Sequence, residues 1–136
     1  MSFLLDTNVV SEPRRRKPEP NVVAWLRGQD SDALFISALT LGEIALGAEA
    51  RARRDPAAGR SLAAWLASIR SGYSDRVLAV SGDIAETWGR LGAKRPLPIV
   101  DGLLAATAQV HRLTLVTRNV RDFKDLGVPL LDPWSQ

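Results

Sequence analysis

The chain has 136 residues, enough for one domain and too few for a second full hydrophobic core. It has no cysteine and a single histidine, His111, which excludes disulfide staples, thiolate nucleophiles and zinc sites built from cysteines or several imidazoles. Its 18 Lys and Arg against 15 Asp and Glu leave a net charge of +3, a modest lean toward a polyanionic partner. No apolar run approaches the roughly 20 residues of a membrane span. Met1 to Asp6 meets a carboxylate too early for a signal peptide. The expectation is a soluble, cytoplasmic protein with no membrane partner, residues 1–136 forming a single domain.

Phe3-Leu4-Leu5 predicts a buried strand that stops at the polar loop Asp6-Thr7-Asn8. Ser11 to Pro20 carries three prolines and the run Arg14-Arg15-Arg16-Lys17, which predicts a stiff, exposed loop. A short helix follows over Asn21–Arg27, entered through Pro20. Ala33–Ile36 predicts a second strand. Ser37 to about Arg54 predicts a helix with Leu41, Ile44, Ala45 and Ala48 on one face. Ala57–Ser71 predicts another, with Leu62, Trp65, Leu66 and Ile69 in register. Val77–Val80 is the third strand and Gly82–Leu91 the next helix, with Ile84, Trp88 and Leu91 on one side. Pro96 and Pro98 mark a loop before the helix Ile99–His111. Leu113–Thr117 is a fourth strand, Asp122–Leu126 a helical turn and Val128–Leu131 a last short strand. Strands alternating with helices predict an α/β fold: a three-layer α/β/α sandwich around a mainly parallel sheet.

In such sheets ligands bind beyond the carboxyl ends of the strands. Four carboxylates fall there. Asp6 follows the first strand, and Glu43 lies early in the helix after the second. Asp101 lies in the first turn of the Ile99 helix, and Asp122 follows the fourth strand. Each alone also fits a helix-start role. Thr40-Leu41-Gly42-Glu43 matches a capping box, Asp6 or Asn119 can cap a turn, and Asp101 or Asp122 suits a helix dipole. Together on one sheet edge they would repel and raise one another's pKa unless a cation neutralised them. Hard divalent ions take oxygen ligands, and Mg²⁺ or Mn²⁺ held by carboxylates supports phosphoryl chemistry without cysteine or histidine.

Four blocks carry a resemblance: Leu4-Leu5-Asp6-Thr7-Asn8, Ser37 to Ile44, Asp101 to Ala108, and Leu115 to Phe123, closed by Val128 to Trp134. In this order and at these separations the chain resembles PIN-domain ribonucleases, most closely the VapC toxins of bacterial toxin–antitoxin pairs. The resemblance implies a Mg²⁺ site, with Mn²⁺ able to substitute, on Asp6, Glu43 and Asp101. Asp122 is the implied fourth acid, with Asn119 as a neutral residue orienting Asp122 or a bound water. Thr7 and Asn8 are implied at the rim, supporting the ligands. One departure is Gly102, where an alanine is usual, at a helix cost of about 1 kcal/mol.

The implied reaction is hydrolysis of an RNA phosphodiester, transfer RNA being a common target among relatives, leaving a 3′-hydroxyl and a 5′-phosphate. Electrostatic contact with the RNA backbone points to Arg118 and Arg121 beside the site and to Arg14, Arg15, Arg16 and Lys17, whose other reading is a solvated loop. The resemblance further implies a VapB-like antitoxin, docking an amphipathic helix near Trp65, and a homodimer. His111 reads as structural at a helix C-terminus. Three other readings stand beside this one. They are a catalytically inert PIN-like binding module, an α/β phosphoryl-transfer enzyme of the Asp-nucleophile type, and a nuclease acting on DNA. The second is disfavoured by Asn8, which stands where that class needs a second aspartate.

Overall fold

The computed structural model describes residues 1–135. Five short strands, β1 (Phe3–Leu5), β2 (Leu34–Ser37), β3 (Val77–Leu78), β4 (Thr114–Val116) and β5 (Leu130–Leu131), form one sheet in the order β3-β2-β1-β4-β5. Every pairing is parallel, with Phe3 opposite both Leu34 and Thr114, and Leu115 opposite Leu130. Six helices connect them: α1 (Thr7–Ser11), α2 (Pro20–Arg27), α3 (Ala38–Ala52), α4 (Pro56–Gly72), α5 (Gly82–Lys94) and α6 (Ile99–His111).

Side chains of a strand alternate between faces, and β1 shows this directly. Leu4 belongs to a core with Ile84 and Leu91 of α5 and Leu104, Ala105 and Ala108 of α6, closed by Phe123 and Leu126. Phe3 and Leu5 belong to another with Val9, Val10 and Val22, against which Trp25, Leu41, Trp65 and Ile69 pack. The sheet is thus covered on both faces, as parallel sheets require, and the expected α/β/α sandwich is the fold. Residues of β1 contribute to both cores and are fully or nearly buried, which explains an apolar run without alternation.

The elements begin where local chemistry allows. Pro20 and Pro56 open α2 and α4, where a missing N–H costs nothing. Asp55, Ser81 and Ser37 cap α4, α5 and α3 through their side chains. At Gly59 a Cβ would overlap the Ala52 Cβ, so its hydrogen lets α3 and α4 touch.

Three sequence expectations are corrected. Asp6-Thr7-Asn8 is not a loop. Asp6 accepts from the Thr7 N–H at 2.7 Å and caps α1, which starts immediately. The Ser11–Pro20 stretch is not wholly exposed either. Glu12–Arg14 is a 3₁₀ turn, and Glu12 is only 3% exposed. Its carboxylate accepts from the Glu19 backbone N–H at 2.8 Å and pairs with Arg15 at 3.4 Å, which pins the loop. The predicted turn Asp122–Leu126 is a 3₁₀ turn at Val120–Phe123.

Candidate active site

The strand order reverses direction between β1 and β4, the crevice where open α/β sheets bind ligands. Asp6 leaves β1 at that point and Thr117 follows β4. The Asp6 N–H continues the ladder to the Val116 carbonyl at 2.9 Å, which locks the backbone of the aspartate into the sheet edge. Its side chain is 8% exposed. Oδ1 takes the Thr7 N–H, while Oδ2 takes the Thr117 hydroxyl at 2.9 Å and the Asn8 amide at 3.4 Å.

Glu43 reaches the same edge from the second turn of α3. The capping-box reading of Glu43 does not hold, because α3 begins one residue after Ser37, whose hydroxyl accepts from the Leu39 N–H at 3.0 Å. Glu43 is instead held by Thr7, whose hydroxyl donates to Oε1 at 2.6 Å and stands 3.1 Å from the buried Thr40 hydroxyl. Thr7 therefore joins two acids, Asp6 through its N–H and Glu43 through its hydroxyl. Asp101 sits half-buried in the first turn of α6, a helix with no side-chain cap. Asp122 is exposed in the turn after β4, where its N–H donates to the Asn119 carbonyl at 3.0 Å. Asn119 acts there through its backbone. Its N–H donates to the Thr117 hydroxyl oxygen at 3.0 Å.

These carboxylates act on one another. Burial pushes the Asp6 carboxyl above its ordinary value of 3.8; the Thr117 and Thr7 hydrogen bonds pull it down, and the charges of Glu43 and Asp101 push it up again. Burial also raises Asp101, and the charges of Asp122 and Glu43 add to it. The two ion pairs among the described residues are Arg15–Glu12 and Arg76–Asp75, so no protein cation neutralises the four acids. Among the described residues no three acids close into a common coordination shell; they interact through space across the crevice. The donor set is nevertheless all oxygen, partly desolvated and without an ion-pair partner among the described residues. That chemistry fits a hard divalent cation better than any soft metal.

The cations divide. The Arg118 guanidinium lies 5.3 Å from the Trp134 ring centroid, and the Arg118 backbone N–H donates to Asn8 Oδ1 at 3.4 Å beside Asp6. Arg121 is exposed on the Asp122 turn. Arg14 points to another surface, donating to Ser61 at 2.8 Å and covering Trp65 at 5.4 Å. Arg15 pairs with Glu12, while Arg16 and Lys17 are exposed. Sequence reasoning passed over three residues. Thr117 and Thr40 are buried hydroxyls at element ends, a signal visible only once the strand ends are known. Arg95, whose Nη2 donates to the Asp122 carbonyl at 2.6 Å, had no marker beyond being a cation next to Pro96.

Comparison with known proteins places the chain in a family. The family described as PIN domain matches residues 3–129. A VapC ribonuclease, Y4jK of Sinorhizobium fredii, is 30% identical over 98% of this chain and 98% of its own length. The crystal structure of FitAcB from Neisseria gonorrhoeae superposes with a TM-score of 0.89 at 31% identity, covering 98% of this chain and 99% of that one. A toxin–antitoxin complex from Klebsiella pneumoniae gives 0.69 at 30% identity, covering 97% and 98%.

Proposed function

The chain belongs to the PIN-domain family, and from that premise we propose that it is a Mg²⁺-dependent endoribonuclease, the toxin of a toxin–antitoxin pair. One observation carries the catalytic reading. Asp6 is buried at the switch point of the sheet, within electrostatic reach of Glu43 and Asp101, and among the described residues no ion pair offsets the charge. Burying uncompensated like charges is costly. A fold that keeps them has a use for a cation.

Asp6, Glu43, Asp101 and Asp122 are the residues that would hold Mg²⁺, with Mn²⁺ as a substitute. When bound, the ion would supply charge stabilisation at the phosphoryl oxygens and a more acidic water. The chain's own contributions are separate. Thr117, Thr7 and Asn8 fix the Asp6 carboxylate in one orientation, so little reorganisation remains at the moment of reaction. The Thr7 hydroxyl holds Glu43, which is otherwise free to swing on an exposed helix face. Arg118 and Arg121 flank the crevice and would meet the backbone phosphates of RNA. Hydrolysis adds water across the P–O3′ bond, giving a 3′-hydroxyl and a 5′-phosphate. Transfer RNA is the proposed substrate.

The proposed partner is an antitoxin segment. Val10, Leu26, Leu34, Trp65, Ile69 and Tyr73 line an apolar groove of about 450 Å³ with Arg14 at its rim. Its shape and lining suit the apolar face of an amphipathic helix. The similarity to a toxin–antitoxin complex supports that occupant. A homodimer in the cytoplasm completes the proposal.

Brief expression in a bacterial host, followed by sequencing of RNA ends, tests it. New 5′-phosphate ends should accumulate with the wild type and be absent with Asp6→Asn, at equal amounts of folded protein. Identical end profiles for the two proteins would refute the assignment.

A further inference from the structure

Arg95 links the acid crevice to a second feature of the fold. Its Nη2 donates to the carbonyl of Asp122 at 2.6 Å, and the same side chain lines a cavity of about 560 Å³ with Leu91, Lys94, Gln109, Asp125 and Leu126. That volume lies within the range of about 300–1,000 Å³ of small-molecule sites. The lining has the parts a nucleotide needs. Lys94 and Arg95 are adjacent cations, and neither is in an ion pair among the described residues. Leu91 and Leu126, both buried in the core, form its apolar floor. The Gln109 amide and the Asp125 carboxylate offer polar partners to a base edge or a ribose hydroxyl. One wall is the turn in which Asp125 (φ 65°) and Gly127 (φ 72°) both take the left-handed conformation.

Arg95 is also anomalous energetically. Its Nε is buried without a hydrogen-bond partner, the one such side-chain atom among the described residues. A buried donor left unpaired is destabilising. The α5 C-terminus attracts cations and accounts for one of them near that end. It does not account for a guanidinium held at this cost between a cavity and the loop of a candidate catalytic acid.

We propose that this cavity is an RNA-binding subsite, in which Lys94 and Arg95 hold a backbone phosphate of the substrate strand one step along from the acid crevice. The proposal rests on the ribonuclease reading for its substrate, and it adds a defined place for the strand on the Asp122 side.

Two assays on the full chain separate the two readings. The first is fluorescence anisotropy of a labelled single-stranded RNA in Ca²⁺ across a salt series, with wild type, Lys94→Gln, Arg95→Gln and, as a control, Arg53→Gln at the exposed C-terminal end of α3. Lys94→Gln and Arg95→Gln should each weaken binding about 3- to 10-fold and lower the slope of log affinity against log salt by about 0.7 for each phosphate left without its cation. Arg53→Gln should change neither. Wild-type affinity and slope in both cavity variants, or no RNA binding by any of the four proteins, would overturn the subsite. The second assay is hydrolysis of bis(p-nitrophenyl) phosphate with Mn²⁺, a diester too short to span both places. Lys94→Gln should lose more activity on RNA than on this diester, and an equal loss on both would place the lysine in the catalytic machinery and overturn the subsite. A wild type inactive on that diester and on RNA would refute the ribonuclease reading, while anisotropy still reports on the cavity. Lys94 is exposed, so its variant folds even if Arg95→Gln does not, and Arg95→Lys should restore part of the salt slope.

Discussion

The Thr117 hydroxyl donates to Asp6 Oδ2 at 2.9 Å and accepts from the Asn119 N–H at 3.0 Å, so one buried hydroxyl ties the end of β1 to the turn that carries Asp122. The bond favours the ionised form of Asp6 and is the largest influence opposing burial. Thr117→Val keeps the shape and removes both bonds. The Asp6 carboxyl then rises further above 3.8, because the charged form loses its donor. A proton then competes with a cation up to a higher pH. The acidic limb of the proposed cleavage reaction should shift to higher pH, with a stability loss of about 1–3 kcal/mol from the donors and acceptors left unmatched. Thr117→Ser should return the limb to its wild-type position. A pH–rate profile at fixed metal decides, and an unmoved limb with reduced stability would make Thr117 a packing residue only.

The acid cluster has a thermodynamic signature without any catalytic assay. Asp6 and Asp101 both have pKa values raised above 3.8, chiefly by burial and then by neighbouring acids. The folded chain therefore binds protons more tightly than the unfolded one. Stability falls as pH rises from the unfolded value through the raised folded values, and it stays reduced at neutral pH. Asp101→Asn removes one of the repelling charges. Against this stands the α6 dipole, which favours an acid in its first turn by about 0.3–1 kcal/mol. Desolvation and two like charges should exceed that. In EDTA at pH 7 the variant should melt above the wild type, and the difference should shrink as pH falls below 3.8. Thermal scans at the two pH values check it, and a lower melting temperature at pH 7 would show that the dipole wins.

Adding Mg²⁺ should reverse that order. A ligand bound only by the folded state stabilises it by about 2.7 kcal/mol at a free concentration a hundred times Kd. The wild type should gain that stabilisation, and an Asp6→Asn, Asp101→Asn double variant should not. Calorimetry with Mg²⁺ and with an ionic-strength-matched monovalent salt separates specific binding from screening. Equal gains in the two proteins would contradict a carboxylate site.

The α6 boundaries and the strand core of β1 were legible because apolar spacing and proline positions there agree with the tertiary environment. The short α1 was not. Five residues carry too little periodicity, and Asp6 reads equally well as the end of a strand and as the cap it also is. Glu43 shows the opposite failure. Its local sequence fits a capping box, yet the cap is Ser37 because β2 runs through to that residue. The four acids could be placed on one sheet edge from strand–helix order alone. Their partners Thr117, Thr40 and Arg95 could not, since each is defined by hydrogen bonds that span 27 or more residues of chain.

Gly102 illustrates how a departure from a family pattern can be compensated. By sequence it only loosens the start of α6, at about 1 kcal/mol against alanine. In the structure a Cβ at Gly102 would stand 2.8 Å from Trp88 Cδ1 and 3.0 Å from Nε1. The indole edge of α5 occupies the space that a methyl group would take, directly beside Asp101. Gly102→Ala therefore gains about 1 kcal/mol of helix propensity and loses about 1–3 kcal/mol to overpacking. The expected result is a net loss, seen as a lower denaturant midpoint at constant m-value, together with weaker Mg²⁺ binding as Asp101 shifts with the helix. Trp88→Ala removes both crowding atoms, and it should be destabilising alone yet leave Gly102→Ala with little further cost when the two are combined. Additive losses in the double variant would mean that the two positions do not share the space, and that the glycine owes its place to something other than Trp88.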